Sequence, residues 1–320
     1  MSDRADDERP RPEPAPPHPG GQRQTASYLK ELLDSQGLRP RRQLGQNFLI
    51  DLNLLELLVR AASIEPTDVI LEVGAGTGGL TTRLAAAAAG VVAVEIDPGF
   101  HRLVAREVAD LSNVELLHAD ALAGKNKMNP AVIDAVRRML EKNQASYYRL
   151  VANLPYDVAS SVVGNLLVDE LPIRSLTITV QYEVGLRMAA QPGSRDYGPL
   201  SALIQRVGAV EWIRTLPPTV FWPRPKIDSC ILRIDVEESK RRPLEKLRVW
   251  HRFVRDLFMQ RRKMLRSAVA SVPGYKVVKS KLNLLLDELG IAGEVRCEQL
   301  THDELWSLWE GVERVRDGQE

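Results

Sequence analysis

The residue types best suited to chemistry fall in three short stretches. The first is Glu72-Val-Gly-Ala-Gly-Thr-Gly-Gly79, which ends an apolar run and spaces Gly74, Gly76 and Gly79 as in a loop that cradles a nucleotide. Glycines there let the backbone turn sharply and come close to a ligand. The second holds two acids. Glu95 lies 21 positions after Gly74, at the end of the next apolar run, where a carboxylate can accept both hydroxyls of a ribose. Asp120, in His118-Ala-Asp-Ala-Leu122, ends a third such run and can take an adenine amino group. The third is Asn153-Leu154-Pro155-Tyr156.

The first two stretches fit NAD and S-adenosylmethionine alike, but E-x-G-x-G-x-G with Glu72 in front is the form usual in class I methyltransferases. The third stretch decides between them. The N6 lone pair of adenine is delocalised into the ring, so the amine is a poor nucleophile. An Asn side-chain carbonyl and a backbone carbonyl can each accept one N6 hydrogen, which localises the lone pair and aims it at a sulfonium methyl. Positioning and electrostatics then do most of the work, and no metal is needed. Pro155 stiffens the turn and removes a donor, and Tyr156 can stack on a base turned out of its helix. Enzymes acting on carbon or oxygen need a thiolate or a base instead. A dehydrogenase would have no use for this tetrapeptide, and no hydride-transfer constellation is visible.

Such residues must be held at strand ends, and the pattern supplies the strands. Asp68–Val73, Val91–Ile96, Val114–His118, Arg149–Asn153 and Leu176–Gln181 read as strands. Leu80–Ala89, Phe100–Asp110 and Pro130–Lys142 read as the helices between them. Alternation of this kind predicts a parallel sheet with helices on both faces, an α/β Rossmann-like methyltransferase domain. Tyr28–Gly37 and 52–62 read as amphipathic helices ahead of it, and Ala209–Leu216 with Ser229–Asp235 as a later strand pair. Beyond Lys240 the pattern is helical. The expected organisation is a disordered Pro-rich tail at 1–24, a methyltransferase domain at 25–239 and a smaller helical domain at 240–320.

Charge is unevenly spread. The whole chain carries +1, yet Lys240–Lys281 holds fourteen Lys or Arg against two acids, a net of +12. Arg261, Arg262, Lys263 and Arg266 crowd one turn of an expected helix at 257–266, with Leu257, Phe258 and Leu265 free to face a core. Clustered cations of this sort hold RNA phosphates without reading sequence. Two distant cysteines, Cys230 and Cys297, exclude a disulfide framework and favour a cytosolic setting. The histidines make no metal pattern. The acidic, proline-rich start does not read as a signal peptide, and the apolar run at 84–94 is too short to span a bilayer.

Together these motifs resemble one family, the small-subunit (16S) ribosomal RNA adenine N6,N6-dimethyltransferases. The resemblance covers about 41–310. Besides the stretches above it includes Leu44-Gly-Gln-Asn-Phe-Leu49, Gln181-Tyr-Glu-Val184, Tyr197-Gly-Pro-Leu-Ser201, Phe221-Trp-Pro-Arg-Pro-Lys-Ile-Asp-Ser229, Leu257-Phe-Met-Gln-Arg-Arg-Lys-Met-Leu-Arg266 and Arg296-Cys-Glu-Gln-Leu300. It implies that Gln46, Asn47 and Leu49 close over S-adenosylmethionine. Gly74, Gly76, Glu95, Ile96, Asp120 and Ala121 would hold it, with Asn153 touching both cofactor and target. Phe221 would stack on the adenine opposite Tyr156, and Arg261, Arg262, Lys263 and Arg266 would bind RNA. The implied substrate is a pair of adjacent adenines near the 3′ end of small-subunit RNA during ribosome biogenesis, and the implied enzyme is a cytoplasmic monomer.

This chain departs from the family at Tyr182, where lysine is usual. The segment 124–148 is longer than usual and carries Lys125, Lys127, Arg137, Arg138 and Lys142. Two rivals share most of these features. One is the large-subunit enzyme type that confers antibiotic resistance. The other is a non-catalytic RNA-binding assembly factor that keeps the fold.

Overall fold

The computed structural model describes residues 26–41 and 45–317; the tail at 1–24 and Leu44 lie outside them. The chain begins with α1 (Ala26–Ser35), β1 (Phe48–Leu49), α2 (Leu52–Ala61), β2 (Val69–Val73), α3 (Gly79–Ala87), β3 (Gly90–Glu95) and α4 (Pro98–Glu107). It continues with β4 (Val114–His118), β5 (Leu122–Gly124), β6 (Lys127–Met128), α5 (Pro130–Asn143), β7 (Tyr148–Asn153), α6 (Ala159–Leu167) and β8 (Ile173–Gln181). Then come α7 (Tyr182–Ala189), α8 (Pro199–Val207), β9 (Gly208–Leu216), β10 (Phe221–Trp222), β11 (Ser229–Val236) and α9 (Glu238–Arg241). The last elements are α10 (Leu244–Phe258), α11 (Leu265–Val269), α12 (Lys279–Glu288) and α13 (His302–Asp317).

β2 and β3 are buried at every position, as strands covered on both faces must be. Their side chains alternate between two cores. Val69, Leu71, Val92, Val94, Leu150 and Ala152 join the cluster under α5 and α6. Ile70, Val91, Ala93 and Val151 join the one under α2 and α3. Capping residues fix where helices start. Asp97 accepts from the N–H groups of Gly99 and Phe100 and Pro98 opens α4; Asn129 accepts from Ala131 N and Pro130 opens α5.

The central sheet has the order β4-β3-β2-β7-β8-β11-β9. The first five strands are parallel, and β11 runs antiparallel to both β8 and β9. A dinucleotide fold continues in parallel on that side; the reversed strand is what separates this sheet from a dehydrogenase. The expected strands and helices are present, with ends shifted by one to three residues. The β5–β6 hairpin and the β1–β10 pair were not legible in the pattern.

Beyond 240, Leu244, Leu247, Trp250, Val254 and Leu257 form one buried stripe of α10 at spacings of three and four. That stripe belongs to the same continuous apolar cluster as Leu71 and Ile178 of the sheet. Among the described residues no helix is long and apolar enough to cross a membrane.

One expectation is corrected. The basic stretch is not a helix over 257–266: α10 stops at Phe258, 259–264 turn, and α11 begins at Leu265. The backbone N–H of Leu265 donates to Val295 O (2.7 Å) and that of Arg266 to Gly293 O (3.2 Å). These tertiary bonds replace the i−4 ladder a continuous helix would need.

Candidate active site

The strand order reverses between β2 and β7, and in open α/β sheets the crevice beyond the carboxyl ends at such a point is where ligands sit. A cavity lies there. Its walls come from successive strand ends: Gly74 and Gly76 after β2, Glu95 and Ile96 at β3, Asp120 and Ala121 after β4, and Asn153, Leu154 and Pro155 at β7. Gln46 and Asn47 close it from the amino-terminal side. Eleven of the site residues read from sequence therefore share one cavity.

The glycine loop is sterically committed. Gly74 (φ +83°) and Gly76 (φ +58°) adopt left-handed backbone, and added Cβ atoms would stand 3.1 Å from the Pro155 ring and 2.9 Å from Phe48 Cε1. Glu95 anchors the loop from below. Its two oxygens accept from Gly76 N (2.8 Å) and Asp97 N (2.9 Å). Each oxygen keeps a second lone pair, so the carboxylate can hold the loop and still accept a hydroxyl. Burial pushes the Glu95 carboxyl above its ordinary range, while those N–H groups pull it back. Glu72, one strand position before the loop, is closed off. Thr81 Oγ1 donates to it at 2.6 Å, and burial pushes its carboxyl up to about 8.

Asn153 is the exception to this closure. Its Nδ2 donates to the backbone carbonyl of Asn47 (2.9 Å), an acceptor that only the nitrogen can serve, so the other side-chain atom is oxygen. That Oδ1 is buried and has no hydrogen-bond partner among the described residues. A buried carbonyl left open costs stability unless something arrives to use it. Asp120 is half open in the same sense: Oδ1 accepts from Leu122 N (2.9 Å), and among the described residues none donates to Oδ2.

Three sequence-assigned residues are not cavity walls. Leu49 is 4% exposed and pairs through its backbone with Phe221. Phe221 is 2% exposed and packed in the apolar cluster with Leu54 and Ile231. Tyr156 is half-buried, its hydroxyl 2.7 Å from Ser229 Oγ, and burial raises its pKa. Sequence reasoning passed over Phe48, Gly45, Val73, Val94, Ala119, Asp157 and Val158, which line the cavity too. Phe48 sat inside a quoted motif, and its contact with Gly76 was invisible because it crosses the fold.

The basic turn after α10 is partly engaged by protein. Arg261 faces Glu298 (3.6 Å) and donates to Arg195 O (2.6 Å); Arg266 pairs with Glu294; Lys263 donates to Ser271 Oγ (3.0 Å). Arg262 is exposed with no partner among the described residues. Among those residues no group of His, Cys, Asp and Glu is arranged to hold a metal.

Residues 37–312 match the family model for ribosomal RNA adenine dimethylase. A "ribosomal RNA small subunit methyltransferase A" from Geobacillus thermodenitrificans is 36% identical over 285 residues, covering 89% of this chain and 94% of its own length. The protein of that name from Moorella thermoacetica is 36% identical over 277 residues, 87% of this chain and 94% of its own. Among solved structures, a dimethyladenosine transferase from Plasmodium falciparum superposes with a TM-score of 0.66 at 22% identity, over 82% of this chain and 96% of that one. The 23S rRNA methyltransferase ErmE gives 0.58 at 23%, over 83% and 99%. Those two likenesses establish the class I methyltransferase fold. The match of the family model along nearly the whole described chain, joined by relatives more than a third identical over nearly all of their own length, settles descent: this chain belongs to the ribosomal RNA adenine dimethylase family.

Proposed function

We propose that this protein dimethylates N6 of two adjacent adenines near the 3′ end of small-subunit (16S) ribosomal RNA, using S-adenosylmethionine, in the cytoplasm during ribosome biogenesis. The observation that carries the reading is the open, buried Asn153 Oδ1 at the rim of the glycine-loop cavity. It is an acceptor without a donor, placed where an exocyclic amine would supply one.

The cavity fits the cofactor by its chemistry. A left-handed glycine loop offers close backbone approach, Glu95 offers spare lone pairs to ribose hydroxyls, Asp120 offers a free carboxylate oxygen to an adenine amine, and Ile96, 40% exposed, offers an apolar face to the base. When bound, S-adenosylmethionine supplies a methyl group on a positively charged sulfur, which is strongly electrophilic. Asn153 Oδ1 and a backbone carbonyl of the same turn accept the two N6 hydrogens and orient the lone pair. Leu154 and Pro155 hold that turn against Gly74, and Tyr156, steadied by Ser229, presents its ring to the target base. Phe221 serves as the second stacking face once its ring turns out from the β1–β10 pair. Residues 25–239 carry this chemistry, and 240–320, with Arg261, Arg262, Lys263 and Arg266, grip the RNA.

The small-subunit reading draws on the relatives' names. The likeness to ErmE is one of fold alone and gives the large-subunit alternative no further weight. The test is to incubate the protein with labelled S-adenosylmethionine and small subunits lacking the modification, digest the RNA and weigh the adenosines. Dimethyladenosine near the 3′ end is expected. Transfer only to large subunits, or monomethyl product alone under excess cofactor, overturns the reading.

A further inference from the structure

A larger cavity, about 1010 Å³, lies beside the one just described. One wall is the β5–β6 hairpin with the start of α5, another the first turn of α6, and the third is α10. The two linings follow one another along the chain. Ala121 and Val158 line the first; Lys125 and Ser160, four and two residues further on, line the second.

Six Lys or Arg and four acids line the groove, which is therefore net cationic. Lys125 and Lys127 project from the hairpin and Arg137 from α5, while Arg248, Arg252 and Arg255 form one stripe of α10 at spacings of four and three. Arg252 and Arg255 lie on the exposed side of a helix whose other face is buried, whereas Arg248 is tied to Val168 O (2.8 Å). Two of the four acids that line the groove are ion-paired, and a third accepts a backbone hydrogen bond. Asp134 pairs with Arg137 (2.6 Å), Glu170 faces Arg248 (3.6 Å), and Asp169 accepts from Leu171 N (3.1 Å). Asp256 keeps a carboxylate without an ion pair among the described residues. Against it stand Lys125, Lys127, Arg252 and Arg255, all exposed and none with a side-chain partner among the described residues.

We propose that this groove binds the phosphate backbone of the substrate RNA, with the hairpin and α5 of the long 124–148 segment as one jaw and the arginine stripe of α10 as the other. The assignment rests on the ribosomal RNA reading above and adds a contact surface separate from the Arg261–Arg266 turn. Four cations without a side-chain partner among the described residues, on two facing walls that lie a few residues along the chain from the cavity holding Asn153, match a polyanion running toward a base to be modified. An acidic protein surface would meet the same charges, but two facing jaws suit a strand held between them better than a flat patch.

The experiment compares the unaltered protein with the quadruple variant K125Q/K127Q/R252Q/R255Q. Filter binding uses a transcribed, protein-free fragment of the 3′ end of small-subunit RNA across a salt series. The plot of log affinity against log salt should become shallower by about one unit per cation lost, and affinity should fall about tenfold or more at physiological salt. Calorimetric binding of S-adenosylmethionine should be unchanged. The charge-preserving variant K125R/K127R/R252K/R255K should keep the slope, which separates charge from folding. An unchanged slope in the glutamine variant overturns the groove while leaving the function intact. A defect seen with assembled subunits but not with bare RNA overturns it in favour of a protein contact. Failure of the unaltered protein to bind the RNA at all overturns the rRNA reading and the groove with it.

Discussion

At the amino ends of β2, β7 and β8, Asp68, Arg149 and Ser175 are buried together. Arg149 donates to Asp68 Oδ2 (2.6 Å) and to Ser175 Oγ (3.0 Å). Asp68 leaves Oδ1 without a hydrogen bond, but its charge is answered. At the carboxyl ends of β2 and β7, a few residues away along the strands, the glycine loop adopts left-handed backbone and Asn153 keeps an open acceptor. One end of the sheet spends its polar groups on each other, and the other end leaves them for something outside the chain. Neither burial nor a missing partner alone distinguishes a structural polar group from a working one, since Asp68 Oδ1 and the Tyr148 hydroxyl also lack a partner among the described residues; Asn153 Oδ1 lacks one on a residue that lines a cavity.

The largest effect should come from breaking the closed end. Arg149→Met strands the Asp68 charge in the core and should cost about 3–5 kcal/mol in urea unfolding, because removing one member of a buried pair leaves the other uncompensated. Methyl transfer per folded molecule should hold. The double variant Asp68→Leu with Arg149→Met should recover most of the loss, since an apolar pair leaves no charge behind. At the open end the pattern inverts. Asn153→Ala should lower kcat about 10²–10³-fold, the scale of losing one preorganised polar contact to a transition state. Its stability should fall by only about 1 kcal/mol, the net worth of the single hydrogen bond from Nδ2 to Asn47 O, because Oδ1 has no partner among the described residues to lose. If Asn153→Ala cost as much stability as Arg149→Met while turnover survived, the contrast between the two ends would collapse.

The sequence disclosed the open end better than the closed one, for physical reasons. Glu95, Asp120 and Asn153 each sit at the end of an apolar run, and strand ends with glycine spacing are local patterns. Contacts between distant segments leave no such trace. Nothing local tells that Phe48 lies on Gly76, that Leu49 pairs with Phe221, or that Arg149 reaches back to Asp68. The basic stretch was misjudged for the same reason. Its composition allows a helix through 257–266, but the chain turns after Phe258, and the loop at 293–295 that takes the backbone N–H groups of Leu265 and Arg266 is a distant contact with no local trace.

A smaller effect sharpens the contrast within the glycines. Gly76→Ala forces a Cβ into Phe48 at a positive φ, so the dissociation constant for S-adenosylmethionine should rise about tenfold, as expected for about 1–2 kcal/mol of backbone strain at the binding loop. Gly193→Ala carries the same kind of strain (φ +81°) with nothing within 4 Å of the new atom. It should lower the melting temperature by a few degrees and leave cofactor affinity untouched. Equal effects of the two on affinity would mean that the loop at 74–79 is not the cradle.

Glu72 tests the rule at its boundary, because it stands at the open end of β2 yet is closed by Thr81. Its carboxyl, pushed up to about 8 by burial, keeps its proton at pH values where the unfolded chain, near the ordinary 4.5, has released it. The native state therefore binds more protons between those two values. Stability should be greatest below about 4.5 and fall as pH rises toward 8, by up to about 1.4 kcal/mol per pH unit from this group. Glu72→Gln keeps an acceptor for Thr81 and removes the titration. The stability of the Gln variant relative to the unaltered protein should thus improve steadily from pH 5 to pH 8 in urea unfolding, on the scale of about 1 kcal/mol per unit. A difference that stays constant over that window would mean the buried carboxylate is ionised, and that it waits, like Asn153, for a partner from outside.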